Sequence, residues 1–352
     1  MNKKLNYDTL KKMCEICAPP GHEESVAEEI RARIPDGVEL FSDAMGNITI
    51  HKKGTGPKVM LMAHMDECGI VVTYIEKNGL LRFAPLGKLE VAQILYKSVR
   101  MSDGIYGVIS PRGGKELKDM TVDSCCLDIG ANDEKEAAAC VRIGDVGTFD
   151  TKFVVLGNGK ELEGRFYGKG MSSRAGCFIM LELLDNLGEI SFDMYFCFAV
   201  QGEVGQRGAP VSAYNVQPEI VISVGTSAVK TEEDANGSVK LGGGAVLKLM
   251  DGSMIGHKAL VDWIAGNAER QKIPYQLEIQ RDNRSNAGAA HISGFGAMSG
   301  GVSVPCRNMH NGSGIVDIKD IENAFMLLNE CLKTEFERRN EGEGYTQAYS
   351  HR

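Results

Sequence analysis

One carboxylate lies where α/β enzymes usually hold their catalytic groups. The stretch FAVQGEVGQRGA, residues 198–209, predicts an apolar strand that ends at Gly202 and places Glu203 at its tip. Gly205 and Gly208 follow, so we expect the chain to turn sharply there. Because open α/β sheets bind ligands at the carboxyl ends of their strands, Glu203 is a candidate metal ligand or general base.

Two residues at the end of another apolar run could act together on a metal. In MLMAHMDE, His64 and Asp66 are two positions apart on a predicted strand, so their side chains point to the same side. A metal-ligating histidine usually gives its other ring N–H to a carboxylate or a carbonyl, which fixes its tautomer. We therefore interpret His64 as a candidate ligand and Asp66 as the residue that orients it. The alternative is a chance HxD match without a metal.

Two further histidines follow apolar segments. His310, in VSVPCRNMHNG, comes after a predicted strand and just before a glycine-rich turn. Alone it would more often be a hydrogen-bonded loop histidine. Two histidines and one glutamate at strand ends, however, are the nitrogen and oxygen donors that zinc binds. His291 lies in the small-residue stretch GAAHIS, and we interpret it as a packing residue.

Composition and charge exclude several classes of partner. The chain has 352 residues, of which 43% are hydrophobic, but no apolar run is long enough to span a bilayer. Its net charge of -8 disfavours binding to nucleic acid or to an anionic membrane surface. The first segment, MNKKLNYDTLKKMCEIC, lacks the basic, apolar and small-residue order of a signal peptide. We therefore expect a soluble, cytoplasmic protein with no nucleic-acid or membrane partner.

The ten cysteines do not resemble a disulfide scaffold. They are scattered through a long chain without an export signal, which favours free and mostly buried thiols. Cys14 and Cys17 form a single CxxC in an amphipathic helical stretch with no second pair. We interpret them as core residues about one helical turn apart, with a redox or zinc role as the alternative.

Predicted strands and helices alternate on both sides of a segment with a different pattern. Short β-like pieces in this segment, such as IVVTYIE and VGTFDTKFVVLG, are separated by Gly, Asn and Asp turns. We therefore expect a doubly wound α/β domain from residues 1–68 and 165–345, an inserted β-rich domain from 69–164, and a polar tail at 346–352.

Five ordered motifs resemble one protein family. AHMDE, GKGMSSRAG, VQGEVGQRGA, SNAGAAH and VPCRNMH have the order and spacing of the M42 family of metallo-aminopeptidases. This family includes glutamyl aminopeptidases and tetrahedral peptidases, and some members carry the label endoglucanase. The resemblance covers nearly the whole chain. It implies a zinc-peptidase-like α/β domain that is interrupted by a β-barrel-like domain used in oligomerisation.

The resemblance also implies a reaction and partners. Family members remove N-terminal residues from peptides and assemble as homo-oligomers, from dimers up to dodecamers. Their site holds two divalent metals, zinc or cobalt, which are bridged by an aspartate and a water. A glutamate acts as general base.

Carried over position by position, the family pattern is only partly kept. His64, Glu203 and His310 match metal ligands, and Asp66 matches the aspartate that follows the first histidine. The substituted positions are Ser172 for the bridging aspartate, Gly202 for the general base, Gly225 for a ligating aspartate, and Asn286 for an aspartate of a further motif.

These substitutions predict the loss of the two-metal reaction. Of the three ligating carboxylates only Glu203 remains, and two close cations without a bridging anion repel strongly in a low-dielectric cleft. A positioned general base contributes about 100- to 10,000-fold in rate, which Gly202 cannot supply. We therefore expect at most one metal and an inactive or strongly impaired homologue, which would act as a non-catalytic peptide-binding or assembly subunit.

One alternative is a surviving single-metal hydrolase. It would use Glu203 and His310, with His64 as a further candidate, although the family uses the two histidines on different metals. A water or an acidic residue of KTEEDANG, residues 230–237, would complete the ligand set.

Another alternative is nucleophilic chemistry in the same cleft, by Ser172, Ser173 or Cys177. No histidine is evident as the base for such a nucleophile. The simpler interpretation of Cys177 is a small buried helix residue.

Overall fold

The computed structural model describes most of the chain. The described residues are 5–113, 116–157, 164–188, 190, 192–229 and 239–336. The predicted tail at 346–352 and the acidic segment at 230–237 lie outside these ranges. Within the described ranges, no helix is long and apolar enough to cross a membrane.

Strands and helices alternate along the chain as predicted, with a run of short strands in the middle. The strands are β1 (Glu39–Ser42), β2 (Ile48–Lys52), β3 (Lys58–His64), β4 (Gly69–Ile75), β5 (Leu81–Leu86), β6 (Ser98–Met101), β7 (Tyr106–Pro111), β8 (Cys125–Asp128), β9 (Val146–Phe149), β10 (Val154–Leu156), β11 (Arg165–Gly168), β12 (Asp193–Ala199), β13 (Ile220–Ala228), β14 (Ala245–Met250), β15 (Tyr275–Ile279), β16 (Met298–Cys306) and β17 (Gly314–Asp317). The helices are α1 (Tyr7–Glu15), α2 (Glu24–Arg31), α3 (Val91–Ile94), α4 (Glu134–Cys140), α5 (Met171–Leu184), α6 (Gly208–Val216), α7 (Lys258–Gln271), α8 (Asn286–Ala290) and α9 (Ile318–Lys333).

An eight-stranded mixed sheet forms the centre of the α/β domain. Its strand order is β1-β2-β12-β3-β13-β16-β14-β15. The neighbours β12, β3, β13 and β16 run parallel, and most of their residues are buried. Continuous apolar runs such as VMLMA in β3 are typical of strands that are covered on both faces. Because these strands are parallel, their carboxyl ends meet at one edge of the sheet.

The strand register brings predicted site residues to that edge. His64, the last residue of β3, lies opposite Ala199, the last residue of β12. Gly202 and Glu203 therefore leave the sheet close to His64. His310 follows the end of β16, which is two strands away from β3 in the same sheet.

The predicted β-rich insertion contains a closed barrel. Its strand order is β4-β5-β8-β7-β6-β9. The barrel has its own apolar core, which includes the fully buried side chains of Val99 and Leu127. β10 lies within the predicted insertion but pairs with β11, in a separate three-stranded sheet that also contains β17. The domain boundary at residue 164 stays a prediction.

Helix α5 packs closely on the parallel strands and carries part of the site. A Cβ atom at Gly176 would lie 2.3 Å from the carbonyl oxygen of Val224 in β13, so only glycine permits this approach. The helix begins directly after Gly170, which adopts a φ of +61°. Its first turn therefore presents Ser172 and Arg174 near the ends of β3 and β13.

Candidate metal centre

Asp66 is fully buried and organises the loop that follows β12. Its carboxylate accepts hydrogen bonds from the backbone N–H of Gly202 at 2.6 Å and of Glu203 at 2.8 Å. It also lies 3.2 Å from Nδ1 of His64. This contact is the one that the predicted orienting role of Asp66 requires. The two backbone contacts also fix the direction in which Glu203 leaves the loop.

The carboxylates around His64 favour its charged form. Burial acts against the charged ring, but the hydrogen bond and charge of Asp66, followed by the charge of Glu203, outweigh burial and raise the pKa of His64. A histidine must be neutral to ligate a metal. A metal at His64 would therefore have to displace a ring proton that the neighbouring carboxylates stabilise.

Glu203 and His310 form a close pair across the cleft. Nδ1 of His310 lies 3.1 Å from Oε2 of Glu203. Burial opposes the Glu203 charge, but the charge and hydrogen bond of His310, together with the charge of His64, outweigh it and lower the pKa of Glu203 to about 2. Glu203 is thus an anion at neutral pH although its side chain is only 4% exposed.

The backbone of His310 is held in an unusual conformation. Its φ is +63°, in the left-handed region that residues with a side chain seldom adopt. Such a conformation costs about 1–3 kcal/mol and persists where the surrounding structure imposes it. Here the loop after β16 uses it to turn the ring of His310 toward Glu203.

Cys68 is a residue of the site that the sequence interpretation missed. Its Sγ lies 3.9 Å from Nδ1 of His310. Cys68, Glu203 and His310 each offer one ligand atom, and these atoms all lie within 4.8 Å of one another. The available signal was a thiol two positions beyond Asp66, in AHMDEC. Nothing local to that segment indicates that the thiol faces the loops after β12 and β16.

Gly87 closes one side of this group. It follows β5 and has a φ of +98°. A Cβ atom at this position would lie 2.7 Å from Sγ of Cys68 and 3.2 Å from Cβ of Glu203. The barrel loop therefore passes directly over the two side chains, which only glycine allows.

The two acidic family positions that are glycine here differ in their surroundings. A Cβ atom at Gly202 would lie 2.3 Å from Cγ of His64, so the imidazole occupies the space where a side chain at position 202 would begin. A Cβ atom at Gly225 would meet nothing within 4 Å. Ser172 lines the cleft together with Cys68 and His310, and its side chain adds no charge there.

Two buried cations lie beside the same cleft. Lys169 and Arg174 are almost inaccessible to solvent, and both face the single carboxylate of Glu67. Arg174 donates from Nη1 to the carbonyl of Met13 at 2.8 Å, but its Nε and Nη2 have no hydrogen-bond partner within the described part of the chain. Two buried cations therefore face one carboxylate beside the cleft.

These observations bear on how many metals the residues could hold. A two-metal centre needs a bridging anion and further carboxylates, whereas Ser172 and Gly225 offer neither and two cations are buried nearby. A single divalent metal fits better, because Glu203 is an anion whose Oε1 has no hydrogen-bond partner among the described residues. His64 does not belong to the converging group that Cys68, Glu203 and His310 form.

The remaining predicted candidates lie outside this group. His291 contacts the carbonyl oxygens of Ala287 and Gly288 through Nδ1, at 3.1 and 2.9 Å, and so bonds to its own helix. Asn286 is buried at the start of α8. Cys177 is fully buried in α5, where burial raises the pKa of its thiol to about 12, so it is not a reactive nucleophile.

All ten cysteines are free, and eight of them are buried, as the sequence predicted. Cys14 lies in the core of the α/β domain. Cys17 lies beyond the end of α1 and is only half-buried, so the prediction that it is a core residue is wrong; its Sγ contacts the carbonyl of Arg100 at 3.7 Å.

Parallel strands whose carboxyl ends carry histidine and glutamate donors, beside an inserted barrel, define an α/β protein with its candidate site at the ends of the sheet strands. The chain belongs to the M42 family, because the family model for M42 glutamyl aminopeptidase matches residues 46–327. The predicted family and fold class are confirmed.

Individual relatives agree with this assignment. The lysyl aminopeptidase of Pyrococcus furiosus is 30% identical over 346 residues, which cover 94% of this chain and 97% of the relative. A TET aminopeptidase from a Thaumarchaeota archaeon superimposes with a TM-score of 0.85 at 29% identity and covers 93% of this chain and 96% of its own. The TET1 peptidase of Pyrococcus horikoshii, described as able to assemble into a tetrahedron or a large octahedral shell, gives a TM-score of 0.82 at 28% identity, with 93% and 99% coverage.

Proposed function

We propose that this chain is an M42 peptidase homologue that no longer removes N-terminal residues from peptides by the two-metal reaction. It acts instead as a non-catalytic peptide-binding or assembly subunit. The observation that carries this proposal is the contact between Gly202 and His64. The family's base position has no side chain, and a Cβ atom there would lie 2.3 Å from Cγ of His64. The site therefore has neither the base nor space for one while His64 holds its position.

Electrostatics support the same proposal. A bridging carboxylate and a second ligating carboxylate are replaced by Ser172 and Gly225, and neither replacement is charged. Lys169 and Arg174 are buried at the same cleft against one carboxylate. Two divalent cations placed there would repel each other and these side chains in a medium of low dielectric constant. Without the bridge, a water on a metal at this site would keep a higher pKa and would be a weaker nucleophile.

A homo-oligomer is the assembly that we propose. The related TET1 peptidase of Pyrococcus horikoshii is described as forming a tetrahedron or an octahedral shell. The similarity to it covers nearly the whole chain, including the inserted barrel. A cytoplasmic location is also part of the proposal, since ten free thiols suit a reducing compartment.

A residual single-metal hydrolase is the second candidate function. It is favoured by the retained pair of Glu203 and His310, whose side chains lie 3.1 Å apart. A single metal at this pair could still polarise a peptide carbonyl. Without a general base, the rate would be lower than that of the family by about 100- to 10,000-fold.

Aminopeptidase assays separate the two candidates. Chelator-treated protein is reloaded with zinc, cobalt or manganese and tested on a panel of aminoacyl chromogenic substrates. We expect no turnover above that of Glu203→Gln prepared in parallel, which controls for contaminating peptidases. Metal-dependent turnover that disappears in Glu203→Gln would overturn the non-catalytic proposal and establish the single-metal hydrolase.

A further inference from the structure

We infer that Cys68, Glu203 and His310 form a site for one divalent transition metal of the zinc and cobalt class, with the Cys68 thiolate as a protein ligand. The site goes beyond the proposed function, because Cys68 is not among the ligand positions that the family resemblance supplies. It also holds whether or not the chain hydrolyses peptides.

The first support is convergence from three separate parts of the chain. Cys68 precedes the first barrel strand, Glu203 follows β12, and His310 follows β16. Their ligand atoms lie within 4.8 Å of one another. A metal with bonds of about 2.0–2.3 Å to nitrogen, oxygen and sulfur holds its ligand atoms at separations below that value.

The second support is an unpartnered buried oxygen. The Glu203 side chain is buried, with only 4% of it exposed to solvent. Its Oε2 faces His310 and the Cys68 thiol lies against the same carboxylate, while Oε1 has no partner in hydrogen-bond geometry among the described residues. Leaving a buried acceptor unsatisfied is costly, and the cost is higher for a charged group. A cation in the group gives this oxygen a partner.

The third support is that other residues hold the ligands in place. The two N–H groups that bond to Asp66 fix the loop on which Glu203 stands. Gly87 places barrel backbone against Cys68 and Glu203, so neither side chain can swing toward that side. A site whose ligands are held by their surroundings loses little conformational entropy when the metal binds.

The donor chemistry selects the class of metal. One sulfur, one nitrogen and one oxygen donor suit zinc or cobalt, whereas magnesium, calcium and manganese favour oxygen ligands. Three protein ligands leave one tetrahedral position for water or a peptide group. Burial and the charge of Glu203 raise the pKa of the Cys68 thiol, so the metal must displace the thiol proton when the sulfur binds.

Cobalt binding tests the site directly. Chelator-treated full-length protein is titrated with Co²⁺, and its cobalt content and absorption spectrum are measured. We expect one cobalt per chain and a thiolate-to-cobalt charge-transfer band in the near ultraviolet. Cys68→Ala and Cys68→Ser should lose this band, and cobalt affinity should fall by at least about 100-fold, since even residues behind the ligands contribute 10- to 100-fold.

Matched variants control for indirect effects. Cys125 is as buried as Cys68 but lies outside the converging group, so Cys125→Ser should keep both the band and the affinity. His64→Ala should also keep the band. Thermal unfolding of each metal-free variant shows whether it is folded. If Cys68→Ala does not fold, His310→Ala and Glu203→Gln test the same site.

Three results would overturn the inference. The first is folded wild-type protein that binds no cobalt. The second is cobalt that binds without a thiolate band and with an affinity that Cys68→Ala does not change. This result would mean that Cys68 is not a ligand. The third is a loss of cobalt in His64→Ala as large as the loss in His310→Ala. None of these results depends on peptidase activity, so they leave the proposed function to its own assay.

Discussion

The imidazole of His64 fills the space beside Gly202 that the side chain of any larger residue at position 202 would need. A Cβ atom at residue 202 would lie 2.3 Å from Cγ and 2.4 Å from Cβ of His64. Gly225, the other family acid position that is glycine here, is surrounded by open space. The loss of the base and the position of His64, which contacts Asp66, are therefore coupled sterically.

Gly202→Ala should destabilise the protein by about 1–3 kcal/mol, because the added methyl group overpacks the space that His64 fills. It should also lower the pKa of His64, since a displaced ring loses its contact with Asp66. Urea unfolding and an NMR titration of the histidine rings measure the two effects. Gly225→Ala is the matched control and should change the free energy of unfolding by less than about 1 kcal/mol. Equal effects of the two variants would show that His64 does not block position 202.

Asp66→Asn should destabilise the protein by about 1–3 kcal/mol. Asparagine has one acceptor oxygen, so it cannot accept from both loop N–H groups and also contact His64 as Asp66 does. The pKa of His64 should fall, because the hydrogen bond and charge of Asp66 are main causes of its rise. The same unfolding and titration measurements apply. Asp262→Asn, at an exposed pair with Lys258, should cost at most about 1 kcal/mol.

Glu67→Gln should destabilise the protein by about 3–5 kcal/mol. The change leaves Lys169 and Arg174 buried without a compensating anion, which is the costly way to break a buried ion pair. Glu116→Gln removes a carboxylate from a pair with Lys118 that is largely exposed, and it should have little effect. The comparison is made by denaturant unfolding at one pH. A small effect of Glu67→Gln would mean that water reaches the two cations.

Asp320 should make stability depend on pH. It is fully buried and accepts the backbone N–H groups of Gly242 and Gly244, each at 2.7 Å. Burial raises its pKa from 3.8 to about 6, more than the two hydrogen bonds lower it. The folded state therefore holds this proton more tightly than the unfolded state. Its stabilisation is complete below pH 3.8 and is lost as the pH rises through about 6.

The test is the unfolding free energy of Asp320→Asn relative to wild type between pH 3.8 and 7. The variant cannot ionise, so its relative stability should improve by up to about 3 kcal/mol as the pH rises through this window. Asp103→Asn, at an exposed position, should show no such trend. A flat difference for Asp320→Asn would show that the carboxyl group is already ionised at low pH in the folded protein.

The double variant Ser172→Asp with Gly225→Asp should raise the metal content of the protein from about one to about two per chain. The new carboxylates supply charge that the cleft lacks, and Gly225 has space for a side chain. Metal analysis after cobalt loading is the measurement. Ser172→Asn with Gly225→Asn has nearly the same shape without charge and should leave the content unchanged.

Adding Gly202→Glu to the double variant tests the steric coupling. The glutamate should restore turnover only if His64 moves out of its present position. We expect the His64 ring to leave its contact with Asp66 in the same variant, which a crystal structure of the metal-free variant shows. A triple variant that gained activity with His64 still in its present position would contradict the coupling between the two residues.

Much of the site could be predicted from the sequence because its residues stand at the ends of apolar strands. Hydrophobic runs alone predict that His64 and Glu203 lie at one edge of the sheet, and β3 and β12 end side by side at His64 and Ala199. The barrel could be predicted as a β-rich segment, because short strands with frequent turn residues leave a local pattern. Cys68 could not, since its role depends on two loops that are distant in the chain.

By itself, the sequence determined the alternation of strands and helices, the family, and the absence of acidic side chains at positions 172, 202 and 225. These properties are local, because side-chain periodicity and residue identity do not depend on distant contacts. Only the tertiary structure decided that Cys68 joins Glu203 and His310, that His64 fills the space beside Gly202, and that two buried cations flank the cleft. These relationships join residues up to 242 positions apart, and packing, not sequence spacing, sets the distances between them.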